Sequence, residues 1–162
     1  MIISNDKREF LTMQVPQLLT NLTDSAEAKF GLMTPQHMVE HLTWVTKSSL
    51  TRHGEPEAEP TDSQMYFRKF MDKGAVFKHR PTEKTAADLP KLKYGSLAEA
   101  VEQVPDAVDR LYQTFEQNPD FKTFNPMMGE FTFEDQELFH YQHFKYHFYQ
   151  FGLIEKYDGV ES

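Results

Sequence analysis

Five histidines of the seven in the chain fall into two short stretches. His37 and His41 stand four apart, and His140, His143 and His147 stand at i, i+3 and i+7. Both spacings bring side chains back to one face of an α-helix. An imidazole gathered in this way either moves protons near neutral pH or, as the neutral ring, lends a lone pair to a divalent cation. Histidines at i, i+4 present adjacent nitrogens on one helical turn, a spacing found in many helical metal sites. A third histidine from a neighbouring helix completes a three-nitrogen set with an open position, the arrangement of catalytic rather than structural zinc. Nickel and iron accept the same ligands, so imidazole alone does not choose the metal. A plainer reading competes: an inward-facing histidine is ordinarily a hydrogen-bonded core residue. Each buried ring then needs partners for both nitrogens, a demand that grows when five share two faces. Spacing leaves both readings open.

The elements that must carry these rings follow from pattern and caps. Leu11, Val15, Leu18 and Leu22 recur at helical spacing, which predicts a first helix over 6–22 with a kink at Pro16. Thr34 followed by Pro35 is a helix start, and the second helix is expected to run to Ser49. Stepping 100° per residue gives it an inward stripe of His37, Met38, His41, Trp44, Val45 and Ser48, with Gln36, Thr43 and Lys47 facing away. Ser96 with Glu99 is a capping box for a third helix, on which Leu97, Val101, Val104, Val108, Leu111 and Phe115 keep an a/d rhythm past a bend at Pro105. Thr132 with Asp135 caps a fourth helix that stops at Gly152. There Phe139, His140, His143, His147, Gln150 and Phe151 share one half of the circumference, opposite Glu134 and Lys145. Leu138, Tyr141 and Phe148 point off that stripe and suggest either cover by the crossover or a homodimer contact. Residues 51–95, broken by Gly54, Pro56, Pro60, Pro81 and Pro90, read as a long crossover holding a short helix over 63–72. The expected fold is therefore all-α: a four-helix bundle with a long crossover between the second and third helices, with no strand, as a single domain over 1–162.

Composition narrows the function. A formal charge of -8 argues against a nucleic-acid partner, since phosphate neutralisation needs clustered Lys and Arg. The absence of cysteine removes thiolate ligands, disulfides and a cysteine nucleophile. No run is long and apolar enough to span a membrane, and residues 1–8 lack the apolar stretch of a signal peptide, so a cytoplasmic protein is expected. The 14 phenylalanines suit a well-filled core more simply than a lipid pocket.

Three segments carry a resemblance. Gly31-Leu32-Met33-Thr34-Pro35-Gln36-His37-Met38-Val39-Glu40-His41-Leu42 is similar to the Gly-x-Met-x-x-x-x-Met-x-x-His-Leu signature of the DinB-like (YfiT-like) superfamily of metal-binding four-helix bundles. His143-Phe144-Lys145-Tyr146-His147-Phe148-Tyr149-Gln150-Phe151-Gly152 resembles the His-x-x-x-His-x-x-Gln-Phe-Gly ending of a poorly characterised branch. Asn125-Pro126-Met127-Met128-Gly129-Glu130-Phe131-Thr132 matches that branch's loop before the last helix, except that the branch often has His where Asn125 stands.

The resemblance implies a metal held by one histidine of the second helix and two, four apart, of the last, which carries over to His41, His143 and His147. It leaves His37 and His140 as candidates to support the ligands or face a substrate, with Asn125 a changed polar contact if the branch's histidine meets the pocket. Gln150, on the inward stripe, either bonds a ligand imidazole or the substrate or is an amide buried to satisfy backbone groups. Superfamily members include S-transferases that use low-molecular-weight thiols, a thiol-dependent isomerase and proteins proposed as metal-dependent hydrolases. The expectation is one divalent ion (zinc, nickel or iron) activating a thiol cosubstrate or a water against a small-molecule substrate. A non-catalytic metal- or ligand-binding bundle is the alternative. Glu40, about 100° off the stripe, is expected to be solvated rather than a base.

Overall fold

The computed structural model describes residues 1–74, 77 and 85–157. Part of the expected crossover, Pro81 included, lies outside the described residues. Along the chain come α1 (Lys7–Glu9), a π-helical turn (Phe10–Gln14), α2 (Val15–Leu19), α3 (Pro35–Ser48) and α4 (Asp62–Asp72). A 3₁₀ turn (Ala86–Asp88), α5 (Leu97–Glu102), α6 (Val104–Gln117), β1 (Thr123–Asn125), β2 (Gly129–Phe131) and α7 (Phe133–Gln150) follow. The protein is mainly helical with a small antiparallel sheet.

Local chemistry sets most boundaries. Proline has no N–H and its ring crowds the carbonyl four residues back, so a helix approaching Pro16 must adjust. The chain widens by one π turn, with the Val15 N–H reaching Phe10 O, in place of a simple kink. The helix ends at Leu19, and Leu22 joins the core from the turn after it. The Thr34 side chain accepts from His37 N and Pro35 opens α3. The bend expected at Pro105 is the break between α5 and α6 at Gln103. Thr132 and Asp135 form a complete capping box for α7, and the Asp135 carboxylate also pairs with Arg68, which ties α4 to the start of α7. At the far end the Gly152 N–H bonds Tyr149 O and the Leu153 N–H bonds Phe148 O, a Schellman close that needs the positive φ of 73° at Gly152.

Two expectations are corrected. The all-helical reading missed the hairpin, in which Thr123 pairs with Phe131 and Asn125 with Gly129. Strands of three residues are too short to show alternation, and residues 51–53 extend the pairing beside β1 through Thr51 O and the His53 N–H. The inward stripe of α3 is rotated: Met38, Val39, Leu42, Thr43 and Thr46 are buried, whereas Trp44 is 68% exposed. Helix α3 packs against α5 and α6 on one side and α7 on the other, so its buried face is wider than a histidine-centred stripe allows.

Helix α7 lies centrally, against α1, α3, α6 and β2. Tyr141 and Phe148, off the histidine stripe, belong to the main core with Phe10 and Leu11, and so serve internal packing. A second cluster of Met71, Phe131 and Phe139, with Phe67, Phe77 and Leu138 packed on it, lies between α4, the hairpin and α7. The histidine face of α7 thus runs between two apolar clusters. Among the described residues no helix is long and apolar enough to cross a membrane.

Candidate metal centre

Helices α3 and α7 bring His41, His143 and His147 together. Nε2 of His143 lies 3.2 Å from Nε2 of His41 and 3.1 Å from Nε2 of His147. One ring nitrogen from each of the three falls within 4.8 Å of the others. A metal–nitrogen bond of about 2.0–2.1 Å places neighbouring ligand nitrogens about 3.3–3.4 Å apart in a tetrahedral site and about 2.8–3.0 Å apart at octahedral angles. The two separations from His143 lie between, and with the third pair within 4.8 Å the three residues are close enough to hold one metal ion.

Proton bookkeeping supports that fit. Gln150 Nε2 donates to Phe30 O at 2.9 Å, which fixes its amide with Oε1 towards His147 Nδ1 at 2.8 Å. His147 Nδ1 must then carry the proton, leaving a bare lone pair on Nε2. That lone pair points at His143 Nε2, which also faces His41 Nε2. A single proton on His143 Nε2 can satisfy one neighbour, not both, and its Nδ1 is buried without a hydrogen-bond partner. A cation accepts all three lone pairs at once.

Burial also keeps the two α7 rings neutral. It pushes the His147 imidazole down to about 3, with the neighbouring His41 ring adding to the effect and Gln150 opposing it. It holds His143 well below the ordinary histidine value, assisted by the three imidazoles around it. Neutral rings are the ligand form. Phe77 stacks on the His143 ring at 4.8 Å, and Phe139 and Tyr146 flank the two α7 rings, giving the site an apolar wall.

The other candidates are placed elsewhere. His37 Nε2 donates to Pro90 O at 3.0 Å, so its Nδ1 accepts from Thr34 Oγ1 at 2.7 Å. Both nitrogens hold the start of α3 against the 85–95 segment, and none is free for a ligand. His140 is fully buried, and its Nε2 lies 2.9 Å from both Ser49 Oγ and Gln136 Oε1. Asn125 Oδ1 accepts from the Met127 and Met128 N–H groups and closes the hairpin turn. Glu40 is not simply solvated: its carboxylate accepts from Lys93 N at 2.6 Å, Tyr94 N at 3.3 Å and Gln36 Nε2 at 2.9 Å. Glu137, three residues before His140, accepts from the Tyr112 hydroxyl at 2.7 Å.

Sequence reasoning did not find Phe77, which sits in a segment without periodicity, nor the cleft beside the triad. That cleft, about 600 Å³, opens between the end of α3 and the hairpin, and His143 forms part of its wall. Trp44, Met127, Met128, Phe131 and Phe139 also line it.

No family model, no curated protein and no solved structure matches this chain.

Proposed function

We propose that this chain is a metal-dependent enzyme of the DinB-like kind, a four-helix bundle in which His41, His143 and His147 hold one divalent ion, zinc, nickel or iron. Its reaction is the activation of a low-molecular-weight thiol for transfer to a small-molecule acceptor. The observation that carries the reading is the convergence of three imidazole nitrogens around a lone pair whose direction Gln150 sets. The resemblance of the three segments to that superfamily adds the bundle architecture and the thiol.

Bound on three neutral ligands, a divalent ion keeps its full charge and lowers the pKa of a coordinated thiol or water. The chain supplies the rest. Burial holds the two α7 rings unprotonated, Gln150 orients one of them, and Phe77, Phe139 and Tyr146 keep solvent from the α7 side. Thiol is favoured over water by what surrounds the rings. Among the described residues the cluster contains no carboxylate, and Glu40 is occupied by the backbone of Lys93 and Tyr94. Hydrolysis commonly draws on a general base at the metal, whereas a formed thiolate needs none.

The test is metal analysis of untagged protein, followed by assay of zinc-, nickel- and iron-loaded samples against thiol–electrophile pairs and ester or amide panels. Expected is thiol consumption that requires metal and acceptor, and that disappears in His143→Ala. Turnover of esters without thiol would assign the nucleophile to water instead. Full metal occupancy with no turnover of either kind would leave a binding bundle.

A further inference from the structure

The cleft beside the triad has features that the proposed chemistry does not use. Its wall is shared with the site through His143, so a molecule seated in it lies against one of the three imidazoles. None of its lining side chains among the described residues is a Lys, Arg, Asp or Glu. His143 Nδ1 has no hydrogen-bond partner, whereas Gln136, Ser49 and His53 on the wall are already engaged with protein. Gln136 Nε2 donates to Thr123 Oγ1 at 2.7 Å and to Ser49 O at 3.1 Å, Ser49 Oγ donates to Thr46 O at 3.0 Å, and His53 Nε2 donates to Ser48 O at 2.6 Å. What the wall offers a guest is therefore aromatic and thioether surface. At the mouth stand two large apolar side chains with no packing account of their own, Trp44 at 68% and Met127 at 63% exposure. A volume of about 600 Å³ lies inside the range of small-molecule sites, roughly 300–1,000 Å³.

We infer that this cleft binds the body of an uncharged, largely apolar small molecule, aromatic or alicyclic, with one end held against His143. The inference rests on the proposed function, of which it names the acceptor class. Charge complementarity points the same way: a chain of net charge -8 with no cationic side chain on this wall disfavours an anionic guest.

The chain's one tryptophan is Trp44, so intrinsic fluorescence reports on the mouth of the cleft. The probe is the neutral fluorophore N-phenyl-1-naphthylamine, titrated into full-length protein before and after metal removal, with the anionic 8-anilinonaphthalene-1-sulfonate as comparison. Expected is saturable binding near one equivalent with loss of Trp44 emission, and weaker binding of the anionic dye by metal-free protein. Ser48→Phe, which fills the cleft, is expected to lower affinity for the neutral probe at least ten-fold with metal content unchanged. Met127→Asp places a charge at the exposed mouth without touching the core and is expected to act in the same direction. Absence of saturable binding, tighter binding of the anionic dye, or a Met127→Asp affinity equal to wild type would overturn the inference. Binding of the neutral probe by a protein that takes up no zinc, nickel or iron when these are supplied would keep the cleft while removing the metal reading, so the two can fail separately.

Discussion

The side-chain amide of Gln150 decides which nitrogen of His147 carries a proton, because the Phe30 carbonyl holds its NH₂ end. Outer partners of this sort commonly change metal affinity about 10- to 100-fold when removed. Gln150→Leu is therefore expected to weaken zinc binding by that order in a competition titration with a chelating dye, whereas equal affinity would mean the hydrogen bond serves packing alone. His140 supports a second prediction. Burial lowers it to about 3, so as pH falls from the ordinary 6.5 the unfolded chain takes up the proton first. Its contribution to stability is complete above that ordinary value and is lost on acidification, at up to about 1.4 kcal/mol per pH unit. Denaturant unfolding of metal-free protein between roughly pH 6 and pH 4 should show a shallower pH slope in His140→Gln than in wild type. Parallel slopes would contradict the assignment. Histidine spacing pointed to the two helices whose rings converge, but it could not show that both nitrogens of His37 are already hydrogen-bonded. Its second partner, Pro90 O, comes from a segment far along the chain and without periodicity.

At the scale of elements, α3 presents His41 to α7 because its first turns are anchored from outside. Glu40 gathers the Lys93 and Tyr94 N–H groups, Gln36 donates to Tyr94 O, and His37 holds Pro90 O. Glu40→Ala leaves two backbone donors without this acceptor and is expected to cost about 1–3 kcal/mol in unfolding free energy. Metal stoichiometry should be unchanged, because Glu40 is not among the clustered histidines. Normal stability with abolished turnover would instead make Glu40 a base. Caps at Thr34, Ser96 and Thr132 were readable because each acts within four residues of itself. The β1–β2 hairpin was not, since its strands are set by pairing with each other and with residues 51–53 rather than by their own pattern. Trp44 misled the stripe on α3 for a related reason: a large apolar residue was read as core when it stands at the mouth of a cleft.

For the whole molecule, the triad joins α3 to α7 across more than a hundred residues of sequence, so an ion bound there would act as a cross-strut between distant parts of the chain. Anything that binds the folded form alone stabilises it, by about 2.7 kcal/mol at a free concentration one hundred times Kd. Zinc should accordingly raise the Tm of metal-stripped wild type and leave His143→Ala unmoved; an equal shift in both would place the binding elsewhere. Helix α7 is central and buried on most sides, which is why Tyr141 and Phe148, read as lying under the crossover or forming a dimer contact, fill the core. The most direct trial of the account is an anomalous difference map from crystals of zinc-loaded protein, recorded above and below the zinc edge. One strong peak is expected about 2.0–2.2 Å from a ring nitrogen of each of His41, His143 and His147. A fully loaded crystal with its peak on other residues, or with these three rings bonded only to one another, would contradict it.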